Sequence, residues 1–335
     1  MTIGDDNAFT LTNREGSSVV IWSYGAAIAA IRVPDRRGQF DNIVLGYDTP
    51  AGYDVDNTYF GTCIGRYAGR IRNASFDLDG KRVHVDANNG SHCLHGGPRG
   101  FDRSTWQLIA RTDYPAAVRL RHVSPDGDQG FPGRLTMEVM YTFDDDRVLT
   151  IDTDATADAP TVFNPTNHTY FNLGGHVAGS IGGHVVTIAA DRFCAVDAEL
   201  VDTGEQIDVI GTPFDFRRPR TLSEAWAEPH EQLRRGYGFD HAYVLRRSVG
   251  PAVRMCDPVG GRAVEVTTDR PAVRLYTANG LDVAGRTGAR YGPRAGVCLE
   301  TGGLPAPSGK SVPAESILRP GVHFFTRTCF RFSYE

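Results

Sequence analysis

Residues 134–143 read RLTMEVMYTF, and the alternation in this stretch carries the first prediction of the fold. Its apolar side chains recur at every second position, at Leu135, Met137, Val139, Tyr141 and Phe143. Successive side chains of a β-strand point to opposite faces of the sheet, so a period of two predicts a strand with one buried face. The C-terminal stretch repeats the pattern, and its aromatic residues are expected to share one face, at Phe324, Phe330, Phe332 and Tyr334.

Turn residues recur at short intervals between the predicted strands. Asp79 and Gly80 separate SFDL from KRVHV, which is typical of a β-hairpin. The best helical segment is 223–234, with Ser223 as the expected N-cap and Pro229 as a kink or break. Because no internal repeat or linker divides the chain, we predict an all-β fold, a large antiparallel β-sandwich with few short helices, forming a single domain over residues 1–335.

The composition excludes several classes of protein. The chain has 335 residues and a formal net charge of -5, which argues against a nucleic-acid partner. No stretch approaches the ~20 apolar residues of a membrane span, and the N-terminal residues lack the layout of a signal peptide. The six cysteines are scattered, without a C-x-x-C pair. We therefore expect a soluble cytoplasmic protein with free thiols and no membrane partner.

Five stretches interrupt the alternation with residues able to do chemistry, namely 65–71, 89–97, 164–173, 238–243 and 296–303. Each also has an ordinary structural interpretation. His95 beside two glycines is typical of a turn, and Glu300 at the end of an apolar run is typical of a solvated strand end. Arg70 and Asp240 could form a simple ion pair. His168 lies in a turn whose aromatic neighbours suggest partial burial, so residue types alone leave these alternatives open.

A metal site is a further alternative for the second of these stretches. His92, Cys93 and His95 lie close together in the sequence, and zinc accepts nitrogen and sulfur ligands. Adjacent residues of a strand face opposite sides, however, and no second ligand pair occurs at a usual spacing. The sequence therefore predicts no metal.

The polar motifs taken together resemble the aldose 1-epimerase (galactose mutarotase) family. The matching motifs, in order, are GRYAGRI, LHGG, GFDRSTW, SPDGDQGFPG, NPTNHTYFNLGG, GFDHAYVL and GVCLETGGLP, and they extend from about Gly61 to Pro305. The resemblance implies the large antiparallel β-sandwich of that family. It also implies an enzyme that interconverts the α and β anomers of a free hexose by acid/base opening and closure of the ring, without a cofactor.

The same resemblance assigns roles to individual residues. Glu300 matches the base of the family and His168 its acid, and His95 is expected to hydrogen-bond the ring oxygen or the developing carbonyl oxygen. The expected substrate-binding residues are Arg70, Asp240, Asn167 and Asn279. One base and one acid on the two oxygens of a single carbon suffice for the reaction. The expected partner is a small sugar, bound by a monomer or a homodimer.

The sequence also departs from the family pattern. Gly69 stands where the family usually has Asn, Gly302 and Gly303 where it commonly shows Gln, and the stretch 276–280 lacks a bulky residue at a position where the family tends to place an aromatic one. These losses predict a wider pocket that is less fitted to galactose or glucose. They leave open the alternative that an enzyme of this fold has been recruited to isomerise, eliminate or cyclise a modified sugar or another carbonyl compound. A non-catalytic carbohydrate-binding module and a glycoside hydrolase using Asp240 and Glu300 are further alternatives.

Overall fold

The computed structural model describes residues 7–55, 57–247, 250–306 and 312–335. Strands dominate it, and its three α-helices are short, with α1 over Pro50–Val55, α2 over Leu222–Trp226 and α3 over Glu231–Gly236. The strands in chain order are β1 Ala8–Thr12, β2 Ser18–Trp22, β3 Ile28–Pro34, β4 Phe40–Asn42, β5 Cys63–Ile64, β6 Arg70–Ile71, β7 Ser75–Leu78, β8 Lys81–His84, β9 Cys93–Leu94, β10 Gln107–Asp113, β11 Ala116–Ser124, β12 Leu135–Phe143, β13 Val148–Ala157, β14 Thr161–Val162, β15 Thr166–Asn167, β16 Tyr170–Phe171, β17 Val185–Ile188, β18 Ala190–Val196, β19 Asp202–Asp208, β20 Arg220–Thr221, β21 Asp240–Leu245, β22 Val253–Cys256, β23 Arg262–Thr268, β24 Ala272–Tyr276, β25 Val283–Ala284, β26 Arg290–Tyr291, β27 Val297–Gly302, β28 Ile317–Leu318 and β29 Phe324–Tyr334.

Two large antiparallel sheets organise these strands. The larger has nine strands in the order β10-β11-β12-β13-β29-β23-β22-β17-β20, and the smaller has six in the order β16-β27-β24-β21-β18-β19. A four-stranded sheet of β1 to β4 precedes them in the chain. This architecture confirms the prediction of a large antiparallel all-β fold, while the single-domain assignment of residues 1–335 stays a prediction.

The alternation of apolar residues in the sequence matches the alternation of buried residues along the strands. In β12 every second residue from Leu135 to Phe143 is buried and the residues between are half-buried, as predicted for a strand with one core face. In β29, Phe330 and Phe332 are buried, but Tyr334 is 45% exposed. Tyr334 lies on the same face of β29 as these residues, as predicted, but this end of the strand is exposed.

The core forms where the inner face of the six-stranded sheet meets the nine-stranded sheet. Phe171 of β16 lies 5.5 Å, centroid to centroid, from Phe330 of β29. Thr301 Oγ1 of β27 lies 2.8 Å from Thr328 Oγ1 of the same strand β29. Because side chains alternate along β27, its neighbour Glu300 must point to the outer face of the smaller sheet.

Two local predictions have different outcomes. The hairpin at Asp79 and Gly80 is confirmed, since β7 and β8 pair around these residues and both have positive φ. The helical segment is broken into α2 and α3 around Pro229. Its N-cap is Thr221 and not Ser223, because the Thr221 side chain accepts from the Glu224 N–H and forms a capping box with that residue.

Two further findings bear on the environment of the protein. Within the described ranges, no helix combines the length and apolar composition that crossing a membrane would require. All six cysteines are free.

Candidate active site

The outer face of the six-stranded sheet forms the floor of a cavity of about 490 Å³. Three adjacent strands contribute to this floor, with Glu300 from β27, Arg274 and Tyr276 from β24, and Asp240 from β21. Val273 and Leu275, the neighbours of Arg274 in the chain, point the other way and belong to the apolar core (a consequence of the two-residue period of a strand). The sandwich thus buries one face of these strands and leaves the other facing the cavity.

His168 reaches the cavity from the connection between β15 and β16. Its backbone is fixed on both sides, because the Gly61 N–H donates to the His168 carbonyl and the His168 N–H donates to the Thr62 carbonyl. Its ring lies 5.0 Å from the Tyr170 ring, and its Nδ1 lies 3.5 Å from Cys298 Sγ. Its Nε2 lies 3.6 Å from Glu300 Oε1. The acid and base expected from the sequence are therefore neighbours at the floor of the cavity.

Glu300 is buried, with only 5% of its surface exposed. Its Oε1 has no hydrogen-bond partner among the described residues, although it borders the cavity. Burial raises the pKa of this carboxyl group, while His168 and Arg274 oppose the shift by favouring the charged form. A carboxyl oxygen without a partner and with a raised pKa is suited to accept a proton from a ligand.

His95 owes its position to a strained loop after β9. His95, Gly96 and Gly97 have consecutive positive φ angles of 54°, 93° and 101°. A Cβ atom on Gly96 would lie 1.9 Å from the Gly65 carbonyl oxygen, so only glycine fits there. The backbone conformation of this loop therefore requires the glycines of the LHGG motif. The strained backbone lies beside a candidate catalytic group.

The hydrogen bonds of His95 determine which of its nitrogens carries the proton. The Gly69 N–H donates to His95 Nδ1 over 3.3 Å, so Nδ1 is the unprotonated nitrogen and Nε2 bears the hydrogen. Burial holds the pKa of His95 well below its usual value, with His168 and Arg70 acting in the same direction. His95 is thus a neutral N–H donor that lines the cavity.

The same tautomer weighs against a metal at this site. Donor atoms of His95, His168 and Glu300 lie within 4.8 Å of one another. A metal-bound histidine normally donates its other ring N–H to an acceptor, but His95 Nδ1 receives a hydrogen bond and its Nε2 is protonated. The other metal-ligand set considered, His92, Cys93 and His95, is not assembled either. His92 Nδ1 accepts from the Asn73 N–H, and Cys93 lies in an apolar cluster.

Asp240 lies between two arginines at one side of the cavity. Arg274 Nη1 donates to Asp240 Oδ1 over 2.9 Å, and Arg70 Nη1 lies 3.9 Å from Asp240 Oδ2. Arg274 Nη2 also donates to Asp202, a buried carboxylate that does not line the cavity. Burial opposes ionisation of Asp240, but the two arginines outweigh it and its pKa lies below the usual value. Asp240 is therefore an anion that can accept hydrogen bonds from hydroxyl groups.

Two predicted substrate-binding amides are already engaged within the protein. Asn167 does not line the cavity; its amide nitrogen donates to the Gly61 carbonyl and its oxygen accepts from Thr169. Asn279 does line the cavity, yet its amide nitrogen donates to the Gly236 and Phe239 carbonyls. Both side chains shape the backbone around the site.

Sequence reasoning missed Arg274 and three aromatic residues of the wall, Tyr59, Tyr237 and Tyr276. A signal for Arg274 existed, because a charged residue in the middle of the apolar stretch AVRLY is unusual for a strand inside a core. The two arginines of the GRYAGRI motif also have different surroundings. Arg70 borders the cavity, whereas Arg66 is buried elsewhere and donates to Ser124, Pro125, Pro132 and Thr161.

Comparison with known proteins identifies similar sequences and structures. The family model described as aldose 1-epimerase matches residues 7–331. The chain is 40% identical over 321 residues to galactose mutarotase of Bos taurus, covering 94% of this chain and 91% of that one. It is 34% identical to maltose epimerase of Levilactobacillus brevis, covering 84% and 82%. The crystal structure of an aldose epimerase homologue from C. elegans superimposes with a TM-score of 0.91 at 30% identity, covering 98% of both chains.

Proposed function

The chain belongs to the aldose 1-epimerase family, and on that basis we propose that it interconverts the α and β anomers of a free aldose. The observation that carries the proposal is the pair His168 and Glu300, whose Nε2 and Oε1 atoms lie 3.6 Å apart at the floor of a sugar-sized cavity. At that distance the two groups are neighbours without being hydrogen-bonded to each other. Each can therefore contact one of the two oxygens that are bonded to C1 of the sugar.

Exchange of anomers requires the ring to open, the C1–C2 bond to rotate, and the ring to close on the other face of the carbonyl. Opening takes a proton from the C1 hydroxyl and delivers a proton to the ring oxygen while the bond between C1 and that oxygen breaks. Glu300 takes the first proton and His168 gives the second. On closure the neutral His168 takes the proton from the C5 hydroxyl, and protonated Glu300 returns its proton to the C1 oxygen.

The remaining groups of the cavity have matching roles in this scheme. The Nε2–H of His95 donates to the ring oxygen or to the carbonyl oxygen that develops at C1, because its tautomer leaves that hydrogen facing the cavity. Asp240 accepts from hydroxyl groups of the sugar, and Arg70 donates to their oxygens. Proton movements complete the reaction without electron transfer, so the chemistry calls for no redox cofactor.

Glycoside hydrolysis is a poorer fit to these contacts. A hydrolase needs one carboxyl group that is protonated as the acid and a second that is ionised. Asp240 is the only second carboxylate of the described residues that lines this cavity, and its ion pair with Arg274 keeps it charged. A permanently charged Asp240 agrees better with the proposed role of binding sugar hydroxyl groups than with the role of a hydrolase acid.

The identity of the sugar is left open by the names of the relatives, one of which names galactose and another maltose. A cytoplasmic location is also part of the proposal, and the six free thiols support it. A monomer or a homodimer would serve the reaction equally, because every proposed catalytic residue comes from one chain.

Polarimetry of freshly dissolved α-D-glucose and α-D-galactose tests the function directly. The protein is expected to accelerate the approach to the anomeric equilibrium above the spontaneous rate, and His168→Ala and Glu300→Gln are expected to lose roughly 10²–10⁴-fold of that acceleration. NMR saturation transfer across a wider set of aldoses covers the unknown sugar. Tight sugar binding without exchange would instead favour a binding module. Exchange that survives in both variants would refute the assignment of the acid and base.

A further inference from the structure

The GVCLETGGLP motif contains a cysteine that has no part in the proton transfers described above. Cys298 lies on β27 two residues before Glu300, so both side chains point to the same face of the strand. Cys298 is fully buried and does not line the cavity. It belongs instead to an apolar cluster that includes Phe60 and Tyr170. A buried cysteine in such a cluster is ordinarily a small apolar residue that fills space.

The contact that distinguishes Cys298 from a packing residue is the one with His168. Its Sγ lies 3.5 Å from His168 Nδ1, and among the described residues it is the hydrogen-bond partner of this ring. Tyr59 and Tyr170 pack against the same ring, with centroids 5.8 and 5.0 Å away. Such packing restricts the plane of the imidazole, but it hardly distinguishes the ring from one turned by 180°. The contact with sulfur is therefore what decides which nitrogen points to the cavity.

The proposed proton transfers place a requirement on His168 Nδ1. His168 gives a proton from Nε2, the nitrogen that lies 3.6 Å from Glu300 Oε1, and takes a proton on the same atom during ring closure. The ring must therefore alternate between the imidazolium, with hydrogen on both nitrogens, and the neutral tautomer with hydrogen on Nδ1 alone. Nδ1 keeps its hydrogen throughout, and a buried N–H without an acceptor costs free energy. The sulfur of Cys298 lies where that acceptor is needed.

We propose that Cys298 is a positioning residue for His168, whose sulfur accepts the hydrogen bond from Nδ1–H and so directs Nε2 to the ring oxygen of the sugar. This inference rests on the proposed function and adds a residue to the same site. Burial raises the pKa of the Cys298 thiol well above its usual value, and Glu300 and Asp240 act in the same direction, so the sulfur stays uncharged. An uncharged acceptor orients the ring without the attraction for the imidazolium that a carboxylate would exert. Strand β27 thereby carries both the base and the group that orients the acid.

Three cysteine variants separate orientation of the ring from packing. Cys298→Ala removes the acceptor, whereas Cys298→Ser replaces the sulfur with another acceptor, a hydroxyl oxygen. Cys194→Ala is the matched control, since Cys194 is a buried cysteine on β18 of the same sheet and does not line the cavity. Polarimetry gives kcat and KM for anomer exchange. Proton–nitrogen correlation NMR of the imidazole rings gives the tautomer of His168, whose signals are identified by their loss in His168→Ala.

In the wild type, neutral His168 is expected to carry its hydrogen on Nδ1. Cys298→Ala is expected to move that hydrogen to Nε2 and to lower kcat by roughly 10–10²-fold with little change in KM. This loss is smaller than the roughly 10²–10⁴-fold expected when the acid itself is removed, because sulfur is a weak acceptor. Cys298→Ser is expected to keep the wild-type tautomer and most of the activity, and Cys194→Ala is expected to behave like the wild type.

The outcomes separate the role of Cys298 from the proposed function, because the tautomer is measured without sugar. If no aldose exchanges but the hydrogen lies on Nδ1, the proposed function fails while the hydrogen bond to sulfur stands. Hydrogen on Nε2 of neutral His168 in the wild type would overturn the inference, since the sulfur would then not be the acceptor. An equal loss of kcat in Cys298→Ala and Cys298→Ser, with the tautomer unchanged, would also overturn it and leave Cys298 a packing residue. If Cys298→Ala does not fold, the wild-type tautomer and the activity of Cys298→Ser still decide.

Discussion

Arg274 and Glu300 lie directly opposite each other on the antiparallel strands β24 and β27. Residues in this relationship have Cβ atoms about 4.5–5.5 Å apart and share a face of the sheet. Arg274 also bonds Asp240 and Asp202, so one guanidinium, on a side chain that is 12% exposed, faces three carboxylates. Those carboxylates raise the pKa of Arg274 although burial opposes its charge. The arginine therefore stays charged and favours the ionised form of the proposed base.

Replacement of Arg274 by Met is expected to shift the pH dependence of kcat/KM. Burial raises the pKa of Glu300 above its usual value of 4.5, and Arg274 counters this shift. A base works only when ionised, so activity of the wild type falls as pH drops through that raised pKa. Without Arg274 the pKa rises further, and the acidic limb moves to higher pH. At neutral pH we expect a loss of about tenfold or more, because Asp240 also loses its partner.

Measurement of kcat/KM by polarimetry from acidic to weakly alkaline pH checks this prediction. Arg192→Met is a suitable control, since Arg192 pairs with Asp208 at the surface, with 57% of its side chain exposed. An unchanged acidic limb in Arg274→Met, with only a higher KM, would show that the arginine positions the sugar and leaves the base unaffected.

Glu300→Gln is expected to stabilise the fold while it removes the activity. The raised pKa of Glu300 means that the folded state holds this proton more tightly than the unfolded state does. Stability is thus lost as pH rises through the interval between the two pKa values. Glutamine has no charge to bury, so its advantage in Tm is expected to be small at acidic pH and to grow toward neutrality, reaching about 1–3 °C. Thermal unfolding at several pH values measures it, and a Tm difference that is constant with pH would contradict this account.

The sequence predicted much of the fold, because alternation reports directly which face of a strand is buried. The roles proposed for His168 and Glu300 were accessible only through the family resemblance, since the two residues are distant in the chain. Arg274 escaped notice because an arginine in a strand normally points to solvent, and its partners Asp202 and Asp240 come from two other strands of the sheet. Asn167 was expected at the sugar, but its amide is needed to satisfy the backbone around Gly61. Such competition between local and tertiary hydrogen bonds cannot be inferred from residue types.

Arg66→Met is expected to destabilise the fold without altering the active site. The buried Arg66 guanidinium makes five hydrogen bonds, which involve Ser124, Pro125, Pro132 and Thr161. Methionine would leave these acceptors unsatisfied, for which we expect a loss of about 3–5 kcal/mol in the free energy of unfolding. Urea denaturation measures the loss, and Arg82→Met is the exposed control, with 54% of its side chain exposed. KM for the sugar should not change in the folded fraction. A loss of less than about 1 kcal/mol would mean that water replaces the guanidinium at those acceptors.

Gly96→Ala is expected to reduce both stability and activity, because the loop that holds His95 has no room for a side chain. The added Cβ would lie 1.9 Å from the Gly65 carbonyl oxygen, and the φ of 93° at this position is unfavourable for alanine. Relief of the clash must move the backbone next to His95, so we expect a loss of about 2–4 kcal/mol in stability and at least about 10²-fold in kcat/KM. Gly292→Ala is the control, since its Cβ would meet nothing within 4 Å and its φ is not positive. Denaturation and polarimetry on the same samples test the link; a variant with normal activity would show that His95 tolerates displacement and is not part of the catalytic set.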